Sequence, residues 1–359
     1  MRKNFSRILL GWYTENKRNL SFIGEKNPYY VWLREIILQQ TRVEHGEEYY
    51  LRFIKKFPAI HLLANAKEDA VLKMWEGLGY YTRARNLHAT AKIIRDQYNG
   101  KFPEKYDDIL RLKGIGPYTA AAIAAYAFGL PYAAADANVK RILARIFGMR
   151  DPVNSPEAEK KILVLAQKLL DKNNPAVFNQ AMMDFGAGVC KPVNPLCDVC
   201  PFQNVCYAFQ NDLTDVLPLK LKQPKKKKRY FHFFVIHGRG GNKEKNTVII
   251  HKRTMKDIWI NMFQFPLIEE KRILSFQNIH KTAAYKQLFK KSKLILQSES
   301  KIFYQELTHQ SIKAKFFLLE AEKMDIICPP GMFVTDQKKL TNYAFPGIVR
   351  ESLKELQYF

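Results

Sequence analysis

The sequence predicts a mainly α-helical N-terminal domain that ends in a cysteine loop, followed by a smaller α+β domain. Three observations predict it. Apolar residues recur at spacings of three and four from the start to about residue 210. A Pro- and Lys-rich stretch, "NDLTDVLPLKLKQPKKKKRY", then interrupts the pattern and forms an extended, self-repelling linker. Beyond it the periodicity changes to that of short strands. With 359 residues and 47% hydrophobic composition, the chain can bury a core in each of two domains. The expected boundaries are 1–210 for the helical domain, 211–229 for the linker and 230–359 for the second domain.

The helical expectation rests on "YVWLREIILQQT", "EEYYLRFIKKF", "AVLKMWEGLG", "RNLHATAKIIRDQY", "AAAIAAYAF", "NVKRILARIFG" and "AEKKILVLAQKLL", separated by Gly, Pro and Asn breakers. In the second domain "YFHFFVIHG", "NTVIIHKR" and "KAKFFLLEA" predict strands, "GRGGNKEKN" a hairpin turn and "PGIVRESLKEL" a final helix.

Charge narrows the partners. Lys and Arg number 58 against 34 Asp and Glu, a formal net charge of +24, which favours nucleic acid or, as an alternative, an anionic membrane surface. No run approaches the roughly 20 apolar residues of a membrane span, and the start lacks a signal-peptide core. A soluble, cytoplasmic, nucleoid-associated monomer is expected.

Four of the five cysteines lie in "CKPVNPLCDVCPFQNVC": Cys190, Cys197, Cys200 and Cys206, spaced C-x6-C-x2-C-x5-C. A reducing cytosol argues against structural disulfides, and the single tight pair departs from the two C-x2-C pairs of a zinc ribbon. Four thiolates in one compact loop suit an iron–sulfur cube, preferred here over zinc. Cys328 reads as an unpaired core thiol.

"LKGIGPYTAAAIAAYAFG" sets Gly114 and Gly116 at the start of an Ala-rich helix. Glycine lets the backbone approach an anion closely, and free N–H groups at a helix start point at it. With helical "YDDILRLK" before it and Pro117 after Gly116, the segment predicts a helix-hairpin-helix that grips DNA phosphate without reading sequence. "GLGYYTRAR" supplies Leu78, Tyr80 and Tyr81 beside Arg83 and Arg85, a candidate wedge with phosphate-seeking charge; a buried turn with solvated arginines is the plain alternative. Glu35, in "VWLREIILQQ", has Val31, Trp32, Leu38 and Gln39 one turn away. Such apolar company raises a carboxyl's pKa and suits it to give up a proton, whereas the residues alone favour a Glu reaching solvent or paired with a base. Asp136, ahead of Val139 and Ile142, either caps a helix or supplies a carboxylate that stabilises a cationic sugar.

Together "LKGIGPYTA", "ADANVKRILAR", the cysteine loop, "PYYVWLREIILQQTRV" and "GLGYYTRARNL" resemble the helix-hairpin-helix-GPD superfamily of DNA glycosylases, and within it the MutY family of adenine DNA glycosylases. The resemblance spans essentially the whole chain. It implies base excision repair: hydrolysis of the N-glycosidic bond of adenine opposite 8-oxoguanine or guanine in duplex DNA, with one 4Fe-4S cluster on the four cysteines. It makes Glu35 the general acid that protonates adenine and Asp136 the catalytic aspartate, with Tyr118 and Asn138 holding the sugar and the carboxylates. In bifunctional relatives a lysine at the Tyr118 position forms a Schiff base; neither Lys113 nor Lys140 occupies that slot, so hydrolysis without strand cutting is expected. Gln40, Thr41, Leu78 and Tyr80 are assigned by the resemblance to the oxidised guanine, and Gly114, Gly116, Arg83 and Lys140 belong to the expected DNA-binding surface. The second domain is similar to the Nudix fold without its Glu-rich catalytic box, and "LTH" is its recognition loop, with Thr308 where Ser is usual and His309 beside it.

Three departures stand out. The segment commonly reading L-P-W-R is "LSFI" here, Arg34 replaces a small residue beside Glu35, and Ala137 stands where Gly is common. The competing readings are a bifunctional glycosylase and lyase resembling endonuclease III, and a non-catalytic cluster-bearing DNA-binding module.

Overall fold

A computed structural model describes residues 2–222, 224–238, 247–289, 293–321 and 331–356. Cys328 and residues 239–246 of the expected hairpin turn lie outside the described residues. The chain forms two compact units, one of residues 1–65 and 86–223, the other of residues 66–85 and 224–359.

The first unit is helical. Each segment with a spacing of three and four became a helix, including Pro28–Leu38, Val43–Lys56, Pro117–Phe128, Ala137–Phe147 and Pro156–Leu169. Proline at the first helical position and a side-chain cap together define two starts: Asn27 accepts from Tyr29 N before Pro28, and Ser155 accepts from Ala158 N before Pro156. Left-handed Gly129 and Gly148 end two of the helices. The core runs from Phe5 and Leu9 through Ile142, Ile162, Phe178 and Phe185 to Phe202 and Cys206, so the cysteine loop packs on the main apolar cluster. A smaller layer of Ala121, Ala122 and Ala134, flanked by Tyr118, Tyr126 and Met183, leaves room for large rings beside small residues.

The second unit is built on an eight-stranded mixed sheet: β1 Lys227–Gly238, β2 Thr247–Lys252, β3 Phe263–Gln264, β4 Leu267–Glu270, β5 Leu294–Glu299, β6 Phe303–Glu306, β7 Gln310–Ala321 and β8 Met332–Asp336. The order β3-β2-β1-β7-β5 places the long strands β1 and β7 side by side and parallel, from Lys227 opposite Gln310 to Gly238 opposite Ala321. The central residues of β1 are buried on both faces, which explains the unbroken "FHFFVI" run, whereas β7 largely alternates buried and half-buried residues. Phe234, Ile236, Phe317 and Leu319 form its apolar centre with Ile279 and Phe289. The Gly347–Glu355 helix closes the described chain. Residues 66–85 belong to this unit through side chains: Glu76 accepts from Phe345 N at 2.8 Å, and Asp69 pairs with Lys252 at 2.7 Å.

Candidate functional site

Glu35 lies on the Pro28–Leu38 helix, 5% exposed. The surrounding residues are not purely apolar, as the neighbouring residues had suggested, because Arg34 is itself 3% exposed and donates from Nε at 2.9 Å and Nη2 at 2.7 Å to Glu35 Oε1. The other oxygen, Oε2, accepts from the Tyr118 hydroxyl at 2.7 Å. Tyr118 stands in the first turn of the Pro117–Phe128 helix, which starts at Gly116, so the hairpin itself places this phenol. Burial, then Glu35 and Asp136, push the Tyr118 phenol well above its ordinary pKa, and it stays a proton donor.

Asp136 is the N-cap of the Ala137–Phe147 helix: Oδ1 accepts from Val139 N at 2.8 Å and Oδ2 from Asn138 Nδ2 at 2.8 Å. Capping and a fixed carboxylate are one arrangement here. Burial raises its pKa, opposed by those two hydrogen bonds. The Tyr118 phenol, half-buried, bonds to Glu35 and feels the charge of Asp136 as well, although the two carboxyls are far apart in the chain.

A further set of contacts runs from Asp136 to the cysteine loop. Asn138 Oδ1 accepts from Arg141 Nη2 at 2.8 Å, and Arg141 also donates to the Gly186 carbonyl at 2.8 Å and from Nε to the Cys190 carbonyl at 2.8 Å. A Cβ on Gly186 would stand 2.5 Å from Asn138 Cβ, so only glycine permits that approach. Arg145, buried, donates to the carbonyls of Lys191 at 2.6 Å, Pro192 at 3.2 Å and Leu217 at 2.9 Å, with Nη1 3.5 Å from Cys190 Sγ. Nothing in the sequence singles out Arg141 and Arg145 beyond their places on an amphipathic helix.

Cys190 and Cys206 are buried, and Cys197 and Cys200 half-buried. Burial first, then the neighbouring thiols, raise Cys197 and push Cys200 up to about 12, while burial chiefly raises Cys206. Among the described residues no group of three or more His, Cys, Asp or Glu is gathered to hold a lone metal ion. Four thiols within electrostatic reach of one another, with a guanidinium beside one of them, fit a thiolate-bound cluster, which would relieve their mutual hindrance to ionisation.

The hairpin has the expected shape. Gly114 adopts φ 80°, and a Cβ there would stand 2.6 Å from Asn86 Cβ; Gly116 opens the Pro117–Phe128 helix, with open space where its Cβ would be. Lys140 pairs with Glu159, and Lys113 is exposed. Gln40, exposed with φ 55°, and half-buried Thr41 follow the helix that carries Glu35, where Gln39 Nε2 donates to Thr119 Oγ1 at 3.1 Å.

The second unit gathers another set. Tyr80, with φ 47°, is 51% exposed and its hydroxyl lies 3.1 Å from Thr308 Oγ1 as acceptor. Both line a cavity of about 650 Å³ with Tyr81, Trp259, Leu307 and His309. Leu78 and Tyr81 are buried, so of the three wedge candidates Tyr80 alone presents its ring to solvent. Arg83 folds inward over the Trp75 ring and donates to the Leu78 carbonyl at 3.3 Å, and burial lowers its pKa to about 10; Arg85 donates to the Ile260 carbonyl at 3.1 Å. Both arginines brace the turn.

A hairpin start, an Asp-capped helix and a four-cysteine loop in one helical unit define a helix-hairpin-helix DNA repair protein. The family described as "HhH-GPD superfamily base excision DNA repair protein" matches residues 33–168. The adenine DNA glycosylase of Buchnera aphidicola from Schizaphis graminum is 38% identical over 74% of this chain and 76% of its own length. A thermostable thymine-DNA glycosylase structure is 29% identical with a TM-score of 0.55 over 58% of this chain and 97% of that one. A non-covalent endonuclease III–DNA complex, at 21% identity and a TM-score of 0.51 over 59% and 98%, shares the fold. The chain belongs to the adenine DNA glycosylase family.

Proposed function

We infer that this chain is a base excision repair glycosylase that hydrolyses the N-glycosidic bond of adenine in DNA. The observation that carries this reading is the hydrogen bond from the Tyr118 hydroxyl, at the start of the hairpin's second helix, to Glu35 Oε2, with Asp136 fixed as the cap of the following helix. A base inside a duplex is out of reach, so the adenine is extruded, at a cost of a few kcal/mol that is smallest at a mispair. Glu35 gives a proton to the purine, which turns an anionic leaving group into a neutral one. Asp136, held by Val139 N and Asn138, is aimed at the positive charge that builds on the sugar. Tyr118, where a lyase would carry an amine, leaves water as the nucleophile and argues for a monofunctional hydrolase.

The preferred mispair is adenine opposite 8-oxoguanine, with guanine as the weaker partner. Exposed Tyr80, Thr308 and His309 line one cavity, and their hydroxyls and imidazole suit the altered hydrogen-bonding edge of an oxidised purine. Cys190, Cys197, Cys200 and Cys206 would hold one 4Fe-4S cluster, which supplies a rigid anchor for the loop. Arg141 and Arg145 tie that loop to the helix that Asp136 caps. The enzyme acts as a cytoplasmic monomer.

The test is a panel of duplexes pairing A, G, C or T with guanine or 8-oxoguanine, under single-turnover conditions, with and without alkali. Adenine loss is expected, fastest opposite 8-oxoguanine, with strand breaks only after alkali. Glu35→Gln lowers the rate at least about a hundredfold with duplex binding retained. No base loss from wild type at saturating protein would overturn the reading.

A further inference from the structure

The strongest unexplained feature of the acid site is its cation. The carboxyl read as the general acid is gripped by a buried guanidinium through two charge-assisted hydrogen bonds to one of its oxygens. Arg34 is not a passing neighbour. Besides its two bonds to Glu35 Oε1, Nη1 donates to the Phe22 carbonyl at 3.2 Å, and the guanidinium carbon lies 5.1 Å from the Phe22 ring centre and 4.7 Å from that of Tyr126. Burial works against its charge, and Glu35 together with Tyr126 and Tyr118 more than offsets that, so Arg34 remains a cation. Two departures from the family pattern, the "LSFI" segment and Arg34, therefore touch each other at Phe22.

The contacts divide the two oxygens of Glu35. Oε1 is committed to a guanidinium held on two ring faces and a carbonyl, whereas Oε2 is held by one hydroxyl, which releases it by rotating about a single C–O bond. The other titratable groups about Glu35 are Tyr118 and Tyr126 of the Pro117–Phe128 helix, with Asp136 acting on both phenols and Asp184 of the Pro175–Gly188 helix acting on Tyr126. Asp184 is itself paired with Arg18 at 2.7 Å.

We propose that Arg34 is a positioning residue for the reaction: it fixes Glu35 Oε1 so that Oε2 carries the transferred proton, and it stabilises the carboxylate that the transfer leaves behind. This rests on the glycosylase reading above and deepens it. The balance is simple. The O–H bond at Oε2 breaks, an N–H bond forms on the adenine ring, and the electron pair left on Glu35 becomes the anionic half of an ion pair with Arg34.

A split between rate and binding gives a signature that a merely structural arginine lacks. Single-turnover excision of adenine opposite 8-oxoguanine is measured with the full-length protein as isolated, for wild type, Arg34→Met and Arg34→Lys. In Arg34→Met the rate at saturating protein falls about tenfold or more. Arg34→Lys, which keeps the charge, recovers part of that loss. Binding of a duplex containing a non-hydrolysable 2′-fluoro-deoxyadenosine stays within about threefold of wild type in both. A Met variant that excises at the wild-type rate, a Lys variant no faster than the Met variant, or a loss of binding that matches the loss of rate overturns the proposal. If Arg34→Met does not fold, the Lys variant decides alone: a lowered rate with binding retained supports the proposal, and a wild-type rate or a matching loss of binding overturns it. Adenine loss by wild type in the same series upholds the glycosylase reading whichever way the variants fall.

Discussion

At the scale of single residues, Asp136 shows how one side chain serves stability and chemistry through different properties. The cap needs an oxygen that accepts from Val139 N; charge stabilisation of a cationic sugar needs the negative charge. Asp136→Asn keeps the acceptor for Val139 N, removes the charge and leaves Asn138 Nδ2 without its acceptor, so it should lose about 1 kcal/mol of stability while adenine excision falls about a hundredfold or more. Asp136→Ala should lose the same activity and a further 1 kcal/mol or so of stability, read by denaturant unfolding. The pH dependence has a definite sign. Burial raises this carboxyl's pKa in the folded state, so above the ordinary carboxylate range the native protein binds the proton more tightly than the unfolded chain. Its contribution to stability is present at low pH and is lost as pH rises through the raised pKa. Melting temperature should therefore decline less over that window in Asp136→Asn than in wild type. Arg34 marks the limit of reading residues singly. Neighbours in a helix do not ordinarily face each other, so nothing in "REI" announces that a long guanidinium doubles back onto the next carboxyl.

At the scale of elements, the hairpin was legible because its chemistry is local: two glycines, a proline and an Ala-rich run each state their own backbone requirement. The two glycines have separable roles. Gly114 has φ 80° and faces Asn86 Cβ, so Gly114→Ala is strained in both backbone and contact and should cost more than about 1 kcal/mol of stability together with DNA affinity. Gly116 has ordinary backbone angles and open space about it, so Gly116→Ala should melt as wild type does and still bind duplex more weakly, because the added methyl meets phosphate. Thermal unfolding and fluorescence anisotropy on a short duplex separate the two; equal melting temperatures with equal affinities would remove the phosphate role from Gly116. The helices were legible for the same reason, since a period of three to four is written in consecutive residues. The sheet order was not. β1 and β7 pair in parallel although some eighty residues separate them, and residues 66–85, read as a helix and the turn after it within the first domain, have Lys252, Thr308 and Phe345 among their polar partners. Long-range pairing is decided by cores that no local pattern encodes.

At the scale of the whole molecule, net charge +24 sets how strongly the protein is drawn to DNA, and the structure sorts which charges remain for that task. The "KKKKR" run is not uniform. Arg229 is buried between Asp257 at 2.8 Å and Glu269 at 2.6 Å and belongs to the sheet, and Lys226 pairs with Glu306 at 2.7 Å. Lys225, Lys227 and Lys228 are exposed, and the Lys227 amide donates to the His309 carbonyl at 3.0 Å, which sets this basic start of β1 beside the loop that carries Thr308. A basic edge there lends affinity without base identity, because phosphate contacts position a protein on DNA and do not read it. Replacing Lys225, Lys227 and Lys228 with Gln should weaken binding to matched and mispaired duplexes by similar factors. Each lysine that meets a phosphate should flatten the slope of log affinity against log salt by about 0.9. The single-turnover rate at saturating protein should not change, since all three belong to the second unit and Glu35, Tyr118 and Asp136 to the first. A salt slope identical to that of wild type would mean the run is only solvated, and a loss confined to the 8-oxoguanine duplex would move these lysines from general attraction to recognition of the lesion.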